Sequence, residues 1–175
     1  HWSLPRWIEL NHWPQRKCFI VHRLDRFTRG LMLVAHDQKT SRALHHAFAE
    51  RRINKVYRAL VNGLLPPGEQ RHIEQPIDTR DAYTVVDAIE HSTAHNMTLI
   101  EARPQTGRKH QLRIHLAGIG HPVVGDRQHG SSHPYDLQLQ ACALAFAHPH
   151  DGTPINLTLL ESDLLSWPDS GKLAS

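Results

Sequence analysis

One aspartate set among arginines is the first feature of this chain that could do chemistry. His22-Arg23-Leu24-Asp25-Arg26-Phe27-Thr28-Arg29-Gly30 ends on glycine and lies between two short apolar runs. A carboxylate beside cations stays ionised, which suits a nucleophile or a general base. A surface aspartate neutralised by its neighbours would have the same composition. A second basic cluster lies far along the chain, in Arg103-Pro104-Gln105-Thr106-Gly107-Arg108-Lys109-His110-Gln111-Leu112-Arg113. Thr106-Gly107 can open a helix whose free N–H groups and dipole favour an anion. Arg108 and Lys109 in its first turn add to that attraction. Arg113, one turn deeper, is long enough to pair with a carboxylate from elsewhere. A plain solvated basic helix face would read the same way.

These groups need elements to position them. Cys18–Val21 and Leu31–Ala35 are short apolar runs that read as strands on either side of the aspartate loop. Asp37 can cap a helix over about 38–52, with Ala43, Leu44, Ala47 and Phe48 as its apolar stripe. Lys55–Val61 alternates, with Tyr57, Ala59 and Val61 on one face. Asn62–Gln70 reads as a loop from its Gly and Pro content. Tyr83–Glu90 and Met97–Arg103 predict an antiparallel hairpin. A helix is predicted over about 107–117, with Leu112, Leu116 and Ile119 facing one way. Leu139–His148 and Ile155–Leu159 predict two more strands, turning at Asp151-Gly152. There is no regular βαβ alternation. The expected class is α+β, with a mixed, mostly antiparallel sheet flanked by helices and loops.

The chain has 175 residues and a mass of 20.0 kDa, the size of one domain. Roughly 70% of the unfolded surface would be buried at this size, so a core forms without disulfides. Pro5 and Pro14 predict an irregular segment over 1–18; the domain is expected over 19–165, followed by a polar tail over 166–175. No apolar run approaches the ~18 residues of a membrane helix, and the start has no apolar signal region. Two cysteines, Cys18 and Cys142, read as reduced thiols of a cytoplasmic protein. With no CxxC and no HExxH among 16 histidines, no metal site is expected.

Charge is unevenly spread. Residues 1–60 carry twelve Lys/Arg against four Asp/Glu, and residues 103–127 carry five against one. The intervening 61–102 carries two against seven, and 128–175 one against five. If folding joins the two basic segments, they form one positive face for a polyanion.

Together these segments resemble the RluA-type pseudouridine synthases. HRLDRFTRGLMLVAH is similar to that family's HRLDxxTSG motif with its following apolar strand, and KVYRALVNG to its K-x-Y-x-A-x-V-x-G strand. RPQTGRKHQLRIHLAGIGHPVVGD is similar to its TGRxHQxRxHxxxxGHPxxGD motif. The three stand in family order across about residues 19 to 160, and GRKHQLR with GDRQHG resembles the tRNA-modifying TruC-like branch. The resemblance implies the pseudouridine synthase catalytic fold and isomerisation of uridine to pseudouridine in structured RNA, tRNA or rRNA. It implies that Asp25 starts glycosidic cleavage of a flipped-out uridine, that Tyr57 lies against the uracil, and that Arg113 pairs with the aspartate. Arg23 matches the arginine that enters the RNA stack where the base leaves. The basic segments add Arg26, Arg29, Lys55, Arg108, Lys109 and His110 as candidates for RNA contact. No cofactor is implied; RNA is the expected partner, with no membrane, and the chain is expected to be a monomer. Two departures stand out. The family's upstream NKPxG-like motif is absent from this sequence, so the fold is expected to lack its N-terminal part. Arg29 stands where the family has a small serine. A non-catalytic RNA-binding relative, or an inactive fragment of such an enzyme, is the alternative; a His-dependent metallohydrolase is more remote.

Overall fold

Period-two alternation in the central strand organises the molecule. The computed structural model describes residues 4–167. Its elements are α1 (Leu4–Asn11), β1 (Phe19–Ile20), β2 (Arg29–Gly30), β3 (Val34–Ala35), α2 (Gln38–Ala49), β4 (Asn54–Asn62), β5 (Gln70–Ile73), β6 (Thr84–Ser92), β7 (Met97–Pro104), α3 (Gln111–Gly118), β8 (Leu139–Ala147) and β9 (Pro154–Thr158). The main sheet runs in the order β2-β8-β4-β7-β6-β5, and β9 also pairs with β8. Among the described residues, only the β2–β8 pairing is parallel. The fold is therefore α+β with a mixed, mostly antiparallel sheet, as expected.

β4 lies between β7 and β8, and both its faces are covered. Ala59 and Val61 pack with Leu112 and Leu116 of α3, and Tyr57 joins them at the edge. Leu60 faces the other way, into Met97, Leu99 and Val124. Beside this sheet, β1 and β3 form a separate two-stranded ribbon. Val21 and Ala35 from this region pack with Leu44 and Ala47 of α2 and with Leu144 of β8. The aspartate loop is thus tethered at one end to α2 and at the other to the main sheet. Gly30 makes the second tether possible. Its φ is +109°, and a Cβ there would lie 2.1 Å from the Ala141 carbonyl oxygen.

Asp37 caps α2 as expected, accepting from the Thr40 N–H, although α2 ends at Ala49, short of the predicted 52. Three other readings are corrected. Residues 4–11 form a helix where an irregular segment was expected. Pro5 sits in the first turn, where a missing N–H is no loss, and Pro14 lies beyond the end. The predicted loop over 62–70 holds across 63–69; β5, which starts at Gln70 and pairs with β6, is an additional strand. Leu31–Ala35 keeps strand pairing only at Val34–Ala35. The helix predicted from 107 begins at Gln111, because Thr106 does not act as its cap. The Thr106 hydroxyl donates to Gln111 Oε1 (2.7 Å), and its oxygen accepts from the Tyr83 N–H (3.0 Å). The tail expectation falls outside the described residues from 168 onward.

Candidate active site

The two basic segments meet at one cavity of about 1100 Å³. Its walls come from the aspartate loop, the end of α2, the start of β4, and residues 103–112. Among the described residues lining it, Asp25 is the sole carboxylate, and Arg23, Arg26, Lys55, Arg108, Lys109 and His110 all reach it. Arg51 and Arg103 also line it, as do the apolar Val85, Leu112 and Leu139; sequence reasoning had not singled these out for the site. Arg29 lies elsewhere. Its Nη2 donates to Gln138 Oε1 (3.3 Å) beside a neighbouring hollow.

Asp25 sits at the start of a tight turn, where its carbonyl accepts from the Thr28 N–H (3.0 Å). The wider loop is closed by His22, whose Nε2 accepts from the Leu33 N–H (2.8 Å). This bond places the imidazole proton on Nδ1. The His22 ring packs on Phe48 of α2, with centroids 4.6 Å apart. Burial, and next the Lys55 charge, push His22 down to about 4. The neutral ring is therefore the form that holds the loop. Since the unfolded chain binds this proton more readily, His22 contributes full stability above about pH 6.5. That contribution, about 3 kcal/mol at most, is lost as pH falls from 6.5 towards 4. His22→Gln keeps an acceptor near the Nε2 position and does not titrate. Urea unfolding across this range should show wild type losing stability relative to the variant as pH falls. Parallel curves would refute the assignment.

Among the described residues, the ion-pair contact of Asp25 is with His110, whose Nε2 lies 3.8 Å from Oδ1. His110 holds a left-handed backbone (φ 53°, ψ 23°) at the N-cap of α3, a conformation uncommon outside glycine. Burial lowers the His110 pKa, the Asp25 charge opposes that, and the Arg113 charge adds to it. Gln111 anchors the segment from below. Its Oε1 accepts from the Arg108 N–H (3.0 Å) as well as from Thr106, and its Nε2 donates to the Tyr83 carbonyl (2.9 Å) and to Thr84 Oγ1 (3.0 Å). A buried amide with both ends satisfied fixes the path of residues 106–110.

The expected Asp25–Arg113 ion pair is not formed. Arg113 instead grips Asp126 with two bonds, Nε to Oδ2 at 2.7 Å and Nη2 to Oδ1 at 2.6 Å. The Asp126 side chain is 0% exposed and also accepts from His129 Nδ1 (2.9 Å). Gly125 explains the choice of partner. At φ +81° a Cβ would lie 2.3 Å from the Asp136 carbonyl oxygen, so only glycine turns the chain tightly enough to aim Asp126 at α3. Burial pushes the Asp126 carboxyl up, but the hydrogen bonds and charge of Arg113 and His129 outweigh it and hold it below the usual range. Arg113 acts on Asp25 only through space. The His129 ring meets His110 edge-on at 5.8 Å. Arg113 and His129 therefore connect Asp126 to the Asp25 side of the cavity. GHPVVGD contained this residue in the sequence, and the glycine before it was the available signal.

Tyr57 enters the cavity from β4, opposite Ala102 of β7 and Ala141 of β8. Small residues on both sides leave its ring room. Burial, then the Asp25 charge and Cys142, push the phenol up to about 12, so it stays protonated at neutral pH. Lys55 Nζ donates to the Thr106 carbonyl (3.4 Å), and burial lowers its pKa. Arg108 Nε donates to the Asp81 carbonyl (3.0 Å). Arg103 is tied to Asp87 and Glu101. Among the described residues no group of three or more His, Cys, Asp or Glu could hold a metal ion, and no helix is long and apolar enough to cross a membrane. The site offers one carboxylate, an uncharged phenol ring and an apolar wall inside a cationic rim. That arrangement suits a polyanion that inserts a flat group.

The family model described as RNA pseudouridylate synthase matches residues 11–118. The chain is 35% identical over 162 residues to ribosomal large subunit pseudouridine synthase D of Zymomonas mobilis, covering 78% of this chain and 50% of that one. It is 34% identical over 172 residues to tRNA pseudouridine synthase C of Pectobacterium carotovorum, covering 79% and 46%. The chain thus spans about half the length of the curated relatives it matches. Among solved structures it resembles human RNA pseudouridylate synthase domain containing 1, with a TM-score of 0.71 and 26% identity, covering 84% of this chain and 70% of that one.

Proposed function

The chain belongs to the RNA pseudouridylate synthase family, and from that premise we propose that it isomerises uridine to pseudouridine within structured RNA. The reaction breaks the C1′–N1 bond, joins C1′ to C5, removes the C5 proton and returns a proton to N1. Nothing is gained or lost overall. The observation that carries the reading is the single carboxylate, Asp25, in a cavity whose cations come from both basic segments. Asp25 starts the cleavage, as a nucleophile at C1′ or as a base at the sugar. Tyr57 supports the detached uracil with its ring and stays uncharged while the base turns. Arg23, exposed on the aspartate loop, takes the space left in the RNA stack when the uridine flips out. Lys55, Arg108 and Lys109 hold phosphates. Arg113, bound to Asp126, supplies positive potential near Asp25. The relatives' names point to both rRNA and tRNA, so the substrate class is structured RNA of either kind.

The test is to incubate the purified chain with bulk rRNA and tRNA and map pseudouridines before and after. A gain at a defined uridine is expected. A folded chain that binds RNA and adds none would overturn the reading. Binding should weaken steeply with salt, by about 10³ between about 50 and 200 mM if six or so phosphates are neutralised. Arg108→Ala should weaken it more than Arg80→Ala, since Arg80 lies in the acidic stretch and outside the cavity lining. Affinity that hardly changes with salt, or equal effects of the two variants, would count against the cationic cavity as the RNA site.

A further inference from the structure

The loop that carries Asp25 also presents an aromatic ring outwards. Phe27 is 61% exposed, at the second corner of the turn that Thr28 closes on Asp25. Phenylalanine is among the residues folding most often buries. Here the Arg26 guanidinium lies over the ring, 5.2 Å from its centroid, and the rest of the ring meets water. Beside it is a hollow of about 350 Å³, whose lining includes Phe27, Arg29, Asp136 and Gln138. Arg26 and Thr28 line both this hollow and the main cavity, so the two share one wall. The bond from Arg29 to Gln138 holds a second guanidinium beside the ring's hollow. Two cations against one acid, Asp136, leave the patch net positive.

We propose that Phe27, flanked by Arg26 and Arg29, is a stacking platform for an unpaired RNA base next to the uridine that enters the main cavity. The inference rests on the reading of the chain as an RNA-modifying enzyme. An exposed ring between guanidinium groups is the chemistry of single-strand recognition, where the ring takes the face of a base and the cations take the phosphates. The base is unpaired because a base inside a duplex stack presents no free face. The patch is separate from the chemistry of Asp25, so it governs which RNA is held rather than which bond is broken.

The test uses fluorescence anisotropy with two labelled probes, an octaadenylate and an abasic ribose-phosphate octamer of equal charge. Adenine is chosen because it is not the base that the main cavity turns over. Phe27→Ala should weaken octaadenylate binding about tenfold or more and leave the abasic probe unchanged. Phe27→Trp should restore or tighten octaadenylate binding. Arg29→Ala should weaken both probes, since a phosphate contact survives removal of the bases. Phe27→Ala should unfold at the wild-type urea concentration, because the ring is exposed. An unchanged octaadenylate affinity in Phe27→Ala, or an equal loss on both probes, would overturn the platform. Pseudouridine mapping on the same proteins separates the two readings. Wild type that forms pseudouridine, with Phe27→Ala binding octaadenylate normally, refutes the platform alone. Wild type that forms none, with a base-dependent loss in Phe27→Ala, supports the platform and refutes the isomerase reading.

Discussion

Asp25→Asn protein is expected to form no measurable pseudouridine while keeping its fold and its RNA affinity. The amide has nearly the shape of the carboxylate but neither its charge nor its basicity. Asp25 is the sole carboxylate among the described residues lining the cavity, so no neighbour can take over. Turnover should fall by at least about 10³-fold, the scale seen when a nucleophile or general base is removed. Stability should change by less than about 1 kcal/mol, because among the described residues the partly exposed Asp25 makes one ion-pair contact, with His110 at 3.8 Å. RNA affinity should hold or rise, since a negative charge leaves a cationic cavity. Release of hydrogen from C5 of labelled uridine in RNA, with urea unfolding and binding measured on the same protein, checks all three. Near-normal release would remove Asp25 from the mechanism.

The second large effect is expected at Asp126, away from the cavity lining. Asp126→Ala leaves the Arg113 guanidinium without its two-bond partner in a buried position. Breaking a buried pair from one side costs about 3–5 kcal/mol. Arg113→Met should cost a similar amount, because it removes two of the three side-chain bonds to a fully buried carboxylate. The double variant Arg113→Met/Asp126→Leu should recover most of that stability, because two apolar groups replace two charges. It should not recover turnover if Arg113 is needed for its potential at Asp25. A stable and active double variant would show that the pair serves the fold alone. The pair also sets an acid limit. Asp126 has a lowered pKa in the fold, so its contribution is fully present above the ordinary carboxylate value of about 4. It is lost as pH falls from there through the lower folded value. Wild type should therefore lose more stability below about pH 4 than the double variant does.

Much of this site could be read locally. The alternation of Tyr57, Ala59 and Val61 set the faces of β4, because neighbouring strand residues point to opposite sides. Asp37 marked the start of α2, because a short acceptor there meets a free N–H. The two basic segments stood out by charge, and they do line one cavity. Other readings failed where two local signals competed. Thr106-Gly107 looked like a helix start, but the buried Gln111 amide captured the Thr106 hydroxyl and the Arg108 N–H. Pro5 looked like a breaker, but in a first helical turn proline costs nothing.

The sequence by itself determined the chemical groups: one acid among arginines, an aromatic on a strand, a helix carrying Arg113, and positive charge in two blocks. The motif resemblance pointed to the family that the comparisons then showed. Tertiary structure alone decided the pairings among those groups. Arg113 had two aspartates as possible partners, and the left-handed turn at Gly125 delivered Asp126 to it rather than Asp25. Asp25 was left with His110, and Arg29 was carried to the neighbouring hollow with Phe27. The physical reason is range. Propensity, capping and strand alternation act over a few residues and are written in the local chain. An ion pair depends on where two distant backbones lie to within about an ångström, and that is set only when the whole core packs.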